Sequence, residues 1–152
     1  GLVIGSKGLQ MVGKYYDGRG KYTSLVKLLE EHFEISDQSN LIIKVYSNNL
    51  ILQDVAPLVI KSAEEGDGLC TNILDQESNA LLLHIAAMKN HLKNDEMKLV
   101  FIGGTITSEN FYSKMLKEKI KMFMPNIKIQ NADYPPEIGA VIMAKKFVEN
   151  YE

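Results

Sequence analysis

Two glycines at the end of an apolar run are the residues of this sequence most suited to meeting a ligand. In "KLVFIGGTITSENFY" (98–112) a continuous apolar stretch enters Gly103-Gly104-Thr105, and a helix start follows. The carboxyl end of a strand in an open α/β sheet is where such folds bind ligands. Absent side chains let a ligand lie against the backbone, and the following helix offers unpaired N–H groups to an anion. The same residues also make a tight strand-to-helix turn. Neither GxxxxGK[ST] nor GxGxxG occurs in the chain to separate the two readings.

Other candidates divide in the same way. "PPEIGA" (135–140) puts Gly139 one turn into an expected helix, where close packing explains a glycine and room for a ligand is the alternative. "SAEEGDG" (62–68) gathers Glu64, Glu65 and Asp67, a set able to hold a metal or move a proton. It also reads as a helix end with Gly66 as the residue past the C-cap and Asp67 capping the next helix. His84 has no Ser, Cys or Asp at a catalytic spacing and is expected as a buried, hydrogen-bonded histidine, with His32 and His91 at helix surfaces. The lone Cys70 forms no internal disulfide and by itself holds neither zinc nor an iron–sulfur cluster. The methionines at 97, 115, 122, 124 and 143 read as core filling, and "KMLKEKIKM" (114–122) as a solvated face. No catalytic residue and no metal ligand is assigned.

The bulk composition narrows the class. A chain of 152 residues, 45% hydrophobic, can bury one real core and is expected as a single domain. A formal charge of −2 supplies no basic field for nucleic acid or an anionic membrane surface. The longest apolar run, "ALLLHIAAM" (80–88), is too short to span a bilayer. Cysteine usage and the lack of a secretion signal lead to the expectation of a cytoplasmic protein. The opening "GLVIGSKGL" reads as a strand or turn already under way, as in a piece of a longer protein.

These residues need elements to position them. Leu9, Val12 and Tyr16 share a helical face, which "DGRG" breaks with Gly18 and Gly20, both suited to positive φ. Thr23 can cap a helix carrying Leu25, Leu28 and Leu29. Residues 37–47 fit either a strand or a short helix. Val55, Leu58, Val59 and Ser62 resume a helical period, with a start expected near Pro57. A long helix follows from Gly68 to about Leu92, apolar over enough of its surface to be covered on two sides. "KLVFIG" (98–103) and "NIKIQ" (126–130) read as strands. Thr107 or Ser108 can cap the helix between them, with Tyr112, Met115, Leu116, Ile120 and Phe123 facing inward. A last helix from Pro136 completes a βαβα unit with a parallel strand pair.

Taken together, "YYDGRGKYTSLVKLLEEHF", "VAPLVIKSAEEGD", "VFIGGTITSENF" and "PPEIGAVIMA" resemble, in order and spacing, the N-acetylglucosamine kinase-like proteins of the BadF/BadG/BcrA/BcrD ATPase family. The resemblance covers nearly all of the chain. It implies the actin-like, ribonuclease-H-like sugar-kinase fold, in which two lobes close over MgATP and an amino sugar such as N-acetylglucosamine. This chain would be the helix-rich C-terminal lobe. By resemblance, Gly103, Gly104 and Thr105 would line the adenosine side of the cleft, Ala63 would lie at the adenine pocket, and Gly139 would sit in a helix packed behind the nucleotide.

The family's phosphate loops, catalytic aspartate and most of its sugar contacts match nothing in these residues, so the isolated chain is expected to be inactive. Some relatives are ATPases that activate acyl-CoA dehydratases or reductases through cluster-ligating cysteines, for which Cys70 is poorly suited. A non-catalytic oligomerisation domain is a further alternative, and a homodimer is compatible with either.

Overall fold

The computed structural model describes residues 2–47, 52–92, 97–102, 109–130 and 141–146. The chain forms two compact units, residues 1–75 and 76–152, with the boundary inside one long helix.

The first unit is helical. The opening is helix α1, Leu2–Tyr16, and not the strand or turn expected from "GLVIG". Ile4, Gly5, Gly8, Leu9 and Val12 are buried, a spacing of three and four residues that makes one helical stripe. The two glycines in that stripe let α1 lie close to helix α4, Leu52–Glu64. A Cβ added at Gly5 would stand 2.1 Å from the Leu52 carbonyl oxygen, and one at Gly8 2.7 Å from Val59 Cγ2.

The turn after α1 is a Schellman motif. Arg19 N–H donates to the Lys14 carbonyl at 2.9 Å, Gly18 N–H donates to Tyr15 at 3.2 Å, and Gly18 carries φ +85°. Gly20, expected to share that conformation, is not among the positive-φ glycines. Its requirement is space, since a Cβ there would stand 3.1 Å from Lys14 Cβ.

Thr23 caps helix α2, Ser24–Phe33, accepting from Leu25 N–H. Leu25, Leu28 and Leu29 are buried and His32 is exposed, as expected. Residues 37–47 resolve as helix α3, Gln38–Tyr46, because Asp37 caps it through Asn40 N–H at 2.8 Å and Leu41 supplies the buried contact. The β-branched Ile42, Ile43 and Val45 lie on its exposed side.

Helix α4 begins before Pro57 and runs through it, contrary to expectation. Proline has no N–H for the carbonyl four residues back, a loss that normally breaks a helix. Here the ring faces solvent, while Val55, Ala56, Leu58 and Val59 on either side are buried and hold both turns in place.

Helix α5, Gly68–Leu92, has the expected bounds but not the expected cover. Its buried residues, Cys70, Ile73, Leu74, Ser78 and Ile85, follow one narrow face. Leu83 is 73% exposed and His84 is exposed too, so His84 is not the buried histidine anticipated. One residue in a helix turns about 100°, which carries position 84 off the face that buries Ile85.

The second unit contains strand β1, Met97–Ile102, helix α6, Phe111–Phe123, strand β2, Ile127–Gln130, and strand β3, Val141–Lys146. The described strands form one sheet of order β2-β1-β3. β1 and β2 are parallel, Met97 opposite Ile127 through Val100 opposite Gln130, which gives the expected β–α–β arrangement.

The closing helix is overturned. Residues 141–146, expected inside it, pair antiparallel with β1 from Ile102↔Val141 to Met97↔Lys146. Pairing along the second edge of β1 satisfies backbone groups that an open edge would leave bare, and the β-branched Val141 and Ile142 suit an extended chain.

The described cap of α6 is Asn110. It accepts from Ser113 N–H at 2.8 Å, and its own N–H donates to Ser113 Oγ at 3.0 Å. The alternatives Thr107 and Ser108 lie outside the described residues. Tyr112, Leu116 and Ile120 are buried, whereas Phe123 is 66% exposed because the chain leaves the helix there and Met124 takes the buried place. Lys119, read as part of a solvated face, donates to Ser78 Oγ at 2.7 Å and Asn79 Oδ1 at 2.8 Å.

Candidate functional site

The most developed polar arrangement among the described residues stands where the end of α4 meets the starts of α2 and α5. Helix α4 closes in a second Schellman motif. Asp67 N–H donates to the Ser62 carbonyl and Gly66 N–H to Ala63, each at 3.0 Å, with Gly66 at φ +103°. That turn delivers the Asp67 side chain to two helix starts at once. Oδ2 accepts from Cys70 N–H at 2.9 Å, capping α5, and from the Thr23 hydroxyl at 2.9 Å. Oδ1 accepts from Ser24 N–H, in the first turn of α2, at 3.1 Å. Ser24 Oγ is hydrogen-bonded to Ser62 Oγ, and the Cys70 Sγ lies 3.6 Å from Thr23 Oγ1.

The electrostatics follow from these partners. Partial burial alone would raise the Asp67 carboxyl, but the Cys70 and Ser24 N–H groups with the Thr23 hydroxyl outweigh it and hold the group below its ordinary value. Burial pushes the Cys70 thiol up to about 11, so it is a protonated packing group rather than a thiolate ligand. Both Asp67 oxygens are already occupied by donors, and Glu64 and Glu65 are exposed. Among the described residues no three His, Cys, Asp or Glu side chains are grouped to hold a metal ion. The donor set of "SAEEGDG" therefore does not suit a resident Mg²⁺.

A second feature of the first unit is a cleft of about 390 Å³ between α1, α3 and the DGRG turn. Lys14, Gln10 and Gln38 border it, with Leu41 and Ile42 below. Arg19 reaches it already paired, its guanidinium 2.7 Å from Asp17 Oδ2. That hydrogen bond holds the Asp17 carboxyl below its usual value.

Of the residues singled out in the sequence, Ala63 is placed in the last turn of α4, 3% exposed and adjacent to Ser62. Gly103, Gly104, Thr105 and Gly139 lie outside the described residues. The roles of Thr23 and Asp67 as caps were legible separately, but their meeting with Ser24, Ser62 and Cys70 was not. One signal was available, a serine at position 62 within an apolar helical period, since a buried hydroxyl needs a partner.

A family model described as the BadF/BadG/BcrA/BcrD ATPase family matches residues 1–144. The chain belongs to the BadF/BadG/BcrA/BcrD ATPase family. Membership carries the actin-like ATPase fold. The chain is also similar to a protein of Dictyostelium discoideum named N-acetyl-D-glucosamine kinase, at 31% identity over 151 residues. The alignment covers 95% of this chain and 47% of that relative, so the chain spans about half the length of the curated relative it matches. No helix among the described residues is long and apolar enough to cross a membrane.

Proposed function

We propose that this member of the family is the C-terminal, nucleotide-side lobe of an ATP-dependent amino-sugar kinase. The whole protein would transfer the γ-phosphate of ATP to a hydroxyl of a sugar such as N-acetylglucosamine, in the cytoplasm. The observation that carries the reading is the continuity of the match. It runs from residue 1 to 144, and the similar protein named as an N-acetyl-D-glucosamine kinase aligns over nearly the same span.

In this reading the lobe binds and orients rather than reacts. Gly103 and Gly104 present bare backbone to adenosine, Thr105 borders it, Ala63 lies at the adenine, and Gly139 leaves room behind the nucleotide. Phosphoryl transfer depends on positioning and on stabilising charge around MgATP. The groups that do this, with the base for the sugar hydroxyl, would come from the partner lobe, as would the ligands of Mg²⁺. The isolated chain is then inactive.

Calorimetry on the full-length protein tests the reading, with ATP, Mg²⁺ and N-acetylglucosamine, wild type against Gly104→Val. The expected result is ATP binding by the wild type and a loss of about tenfold or more in the folded variant, since added methyl groups would displace the base or ribose from the backbone. Equal binding by both, or by neither, would reject it.

A further inference from the structure

We propose that the cleft between α1, α3 and the DGRG turn is a ligand site, and that it takes a small organic carboxylate. The proposal stands apart from the nucleotide-lobe reading above. Its first ground is Gly13. A glycine inside a helix is explained by a positive φ, by a neighbour too close for a Cβ, or by room for a ligand. Gly13 is not among the positive-φ residues, and among the described residues a Cβ added to it would meet Leu41 Cδ2 alone, at an ordinary 3.7 Å. Gly5 and Gly8 in the same helix differ, since a Cβ at either would clash. Gly13 lines the cleft instead, where the missing side chain leaves the α1 backbone open to a bound molecule.

Its second ground is charge. Arg19 N–H and Gly20 N–H both donate to the Lys14 carbonyl at 2.9 Å, so the turn ties together the two cationic residues of the lining. Asp17 accepts the Arg19 backbone N–H on Oδ1 at 3.1 Å and the guanidinium Nε–H on Oδ2 at 2.9 Å. Those bonds set the plane of the guanidinium and offset one of the two positive charges. The lining keeps one net positive charge, Lys14 and Arg19 against Asp17, beside the Gln10 and Gln38 amides. Leu41 and Ile42 form its apolar floor. A cleft of about 390 Å³ admits a small molecule, and an apolar floor under a singly positive rim selects an apolar body ending in a monoanion. A phosphate offers more charge than the rim balances and no apolar surface for the floor.

Ligand-observed NMR titrations of the full-length protein with benzoate, benzamide and inorganic phosphate test the proposal, with no ATP present. The expected result is saturable benzoate binding that is about tenfold weaker in Lys14→Gln, with benzamide about tenfold weaker on the wild type. Gly13→Leu, whose side chain occupies the cleft, should abolish binding. Gly13→Ala should melt at or above the wild-type temperature, because alanine is the better helix former and its Cβ meets no clash. A lower melting temperature would mean that packing requires the glycine, and the proposal would lose its first ground and fall. It is also overturned by an absence of saturable benzoate binding, by equal binding in Lys14→Gln, by benzamide or phosphate binding as tightly as benzoate, or by undiminished binding in folded Gly13→Leu. Should Gly13→Leu not fold, Ile42→Glu, at a position already 47% exposed, sets a carboxylate on the floor and is read by the same criterion.

Discussion

Two junctions hold the first unit together, and they work by opposite physics. Along the seam between α1 and α4 the contacts at Gly5 and Gly8 are made by apolar side chains and backbone. Gly5 and Gly8 let the helices approach, and Val55, Val59 and Leu25 fill the contact. At the corner where α4 turns into α5, one carboxylate, three hydroxyls and a thiol converge with directed bonds. The close approach at Gly5 and Gly8 depends on shape, which acid does not change. The corner depends on the ionisation of Asp67. The contrast shows how a small helical unit can place one face by volume and another by hydrogen-bond direction.

Substitution at the seam should have the largest effect. Gly5→Ala puts a methyl group against the Leu52 carbonyl, a backbone atom that cannot step aside, and should cost about 3 kcal/mol in chemical denaturation. Gly8→Ala meets the ends of Val59 and Leu25 instead. Those side chains can give way, and alanine is the better helix former by about 1 kcal/mol, so its cost should be clearly smaller. Equal costs at the two positions would mean that the seam adjusts as a whole and that shape is not its determinant.

The corner comes next. Asp67→Ala removes the cap of α5 and leaves Cys70 N–H, and Ser24 N–H in the first turn of α2, without their acceptor, for a loss of about 2–3 kcal/mol. The pH dependence has a definite sign. The folded carboxyl lies below the ordinary 3.8, so its contribution is complete above that value and is lost as pH falls through the folded pKa. The difference in stability between wild type and Asp67→Ala should therefore be constant from neutral pH to about 4 and shrink below it. Gly5→Ala should keep its full deficit over the same range. A gap at Asp67 that persists at the acid end would mean that its side chain acts through packing and not through charge.

The smallest effect should come from the other aspartate held low by a partner. Asp17 and Arg19 pair on the surface of the DGRG turn, where water and salt screen them and the backbone Schellman bonds already hold the turn. Arg19→Ala should leave the melting temperature unchanged at physiological ionic strength. A measurable drop that vanishes in high salt would show that the exposed pair contributes to the turn after all.

Much of this fold was legible because local rules and tertiary packing agree over most of the chain. The helical period of Leu9 and Val12, the Thr23 cap, the Gly18 and Gly66 breaks and the parallel strands at 97–102 and 127–130 all follow from spacing and turn chemistry. The family, too, was readable from the order of its motifs, and with it the expectation that a nucleotide meets Gly103, Gly104, Thr105 and Gly139, residues outside those described. Caps, glycines and apolar periods act within a few residues, so they already mark where helices stop and which residues seek the interior. The rest of the fold depends on neighbours distant in the chain. The packing of Val55 and Val59 carries α4 through Pro57, the open edge of β1 draws residues 141–146 into a strand, and Asp67 finds Ser24 and Thr23 more than forty positions away. A carboxylate advertises that it needs donors, but which donors it finds is settled only when separate helix ends are brought to one point.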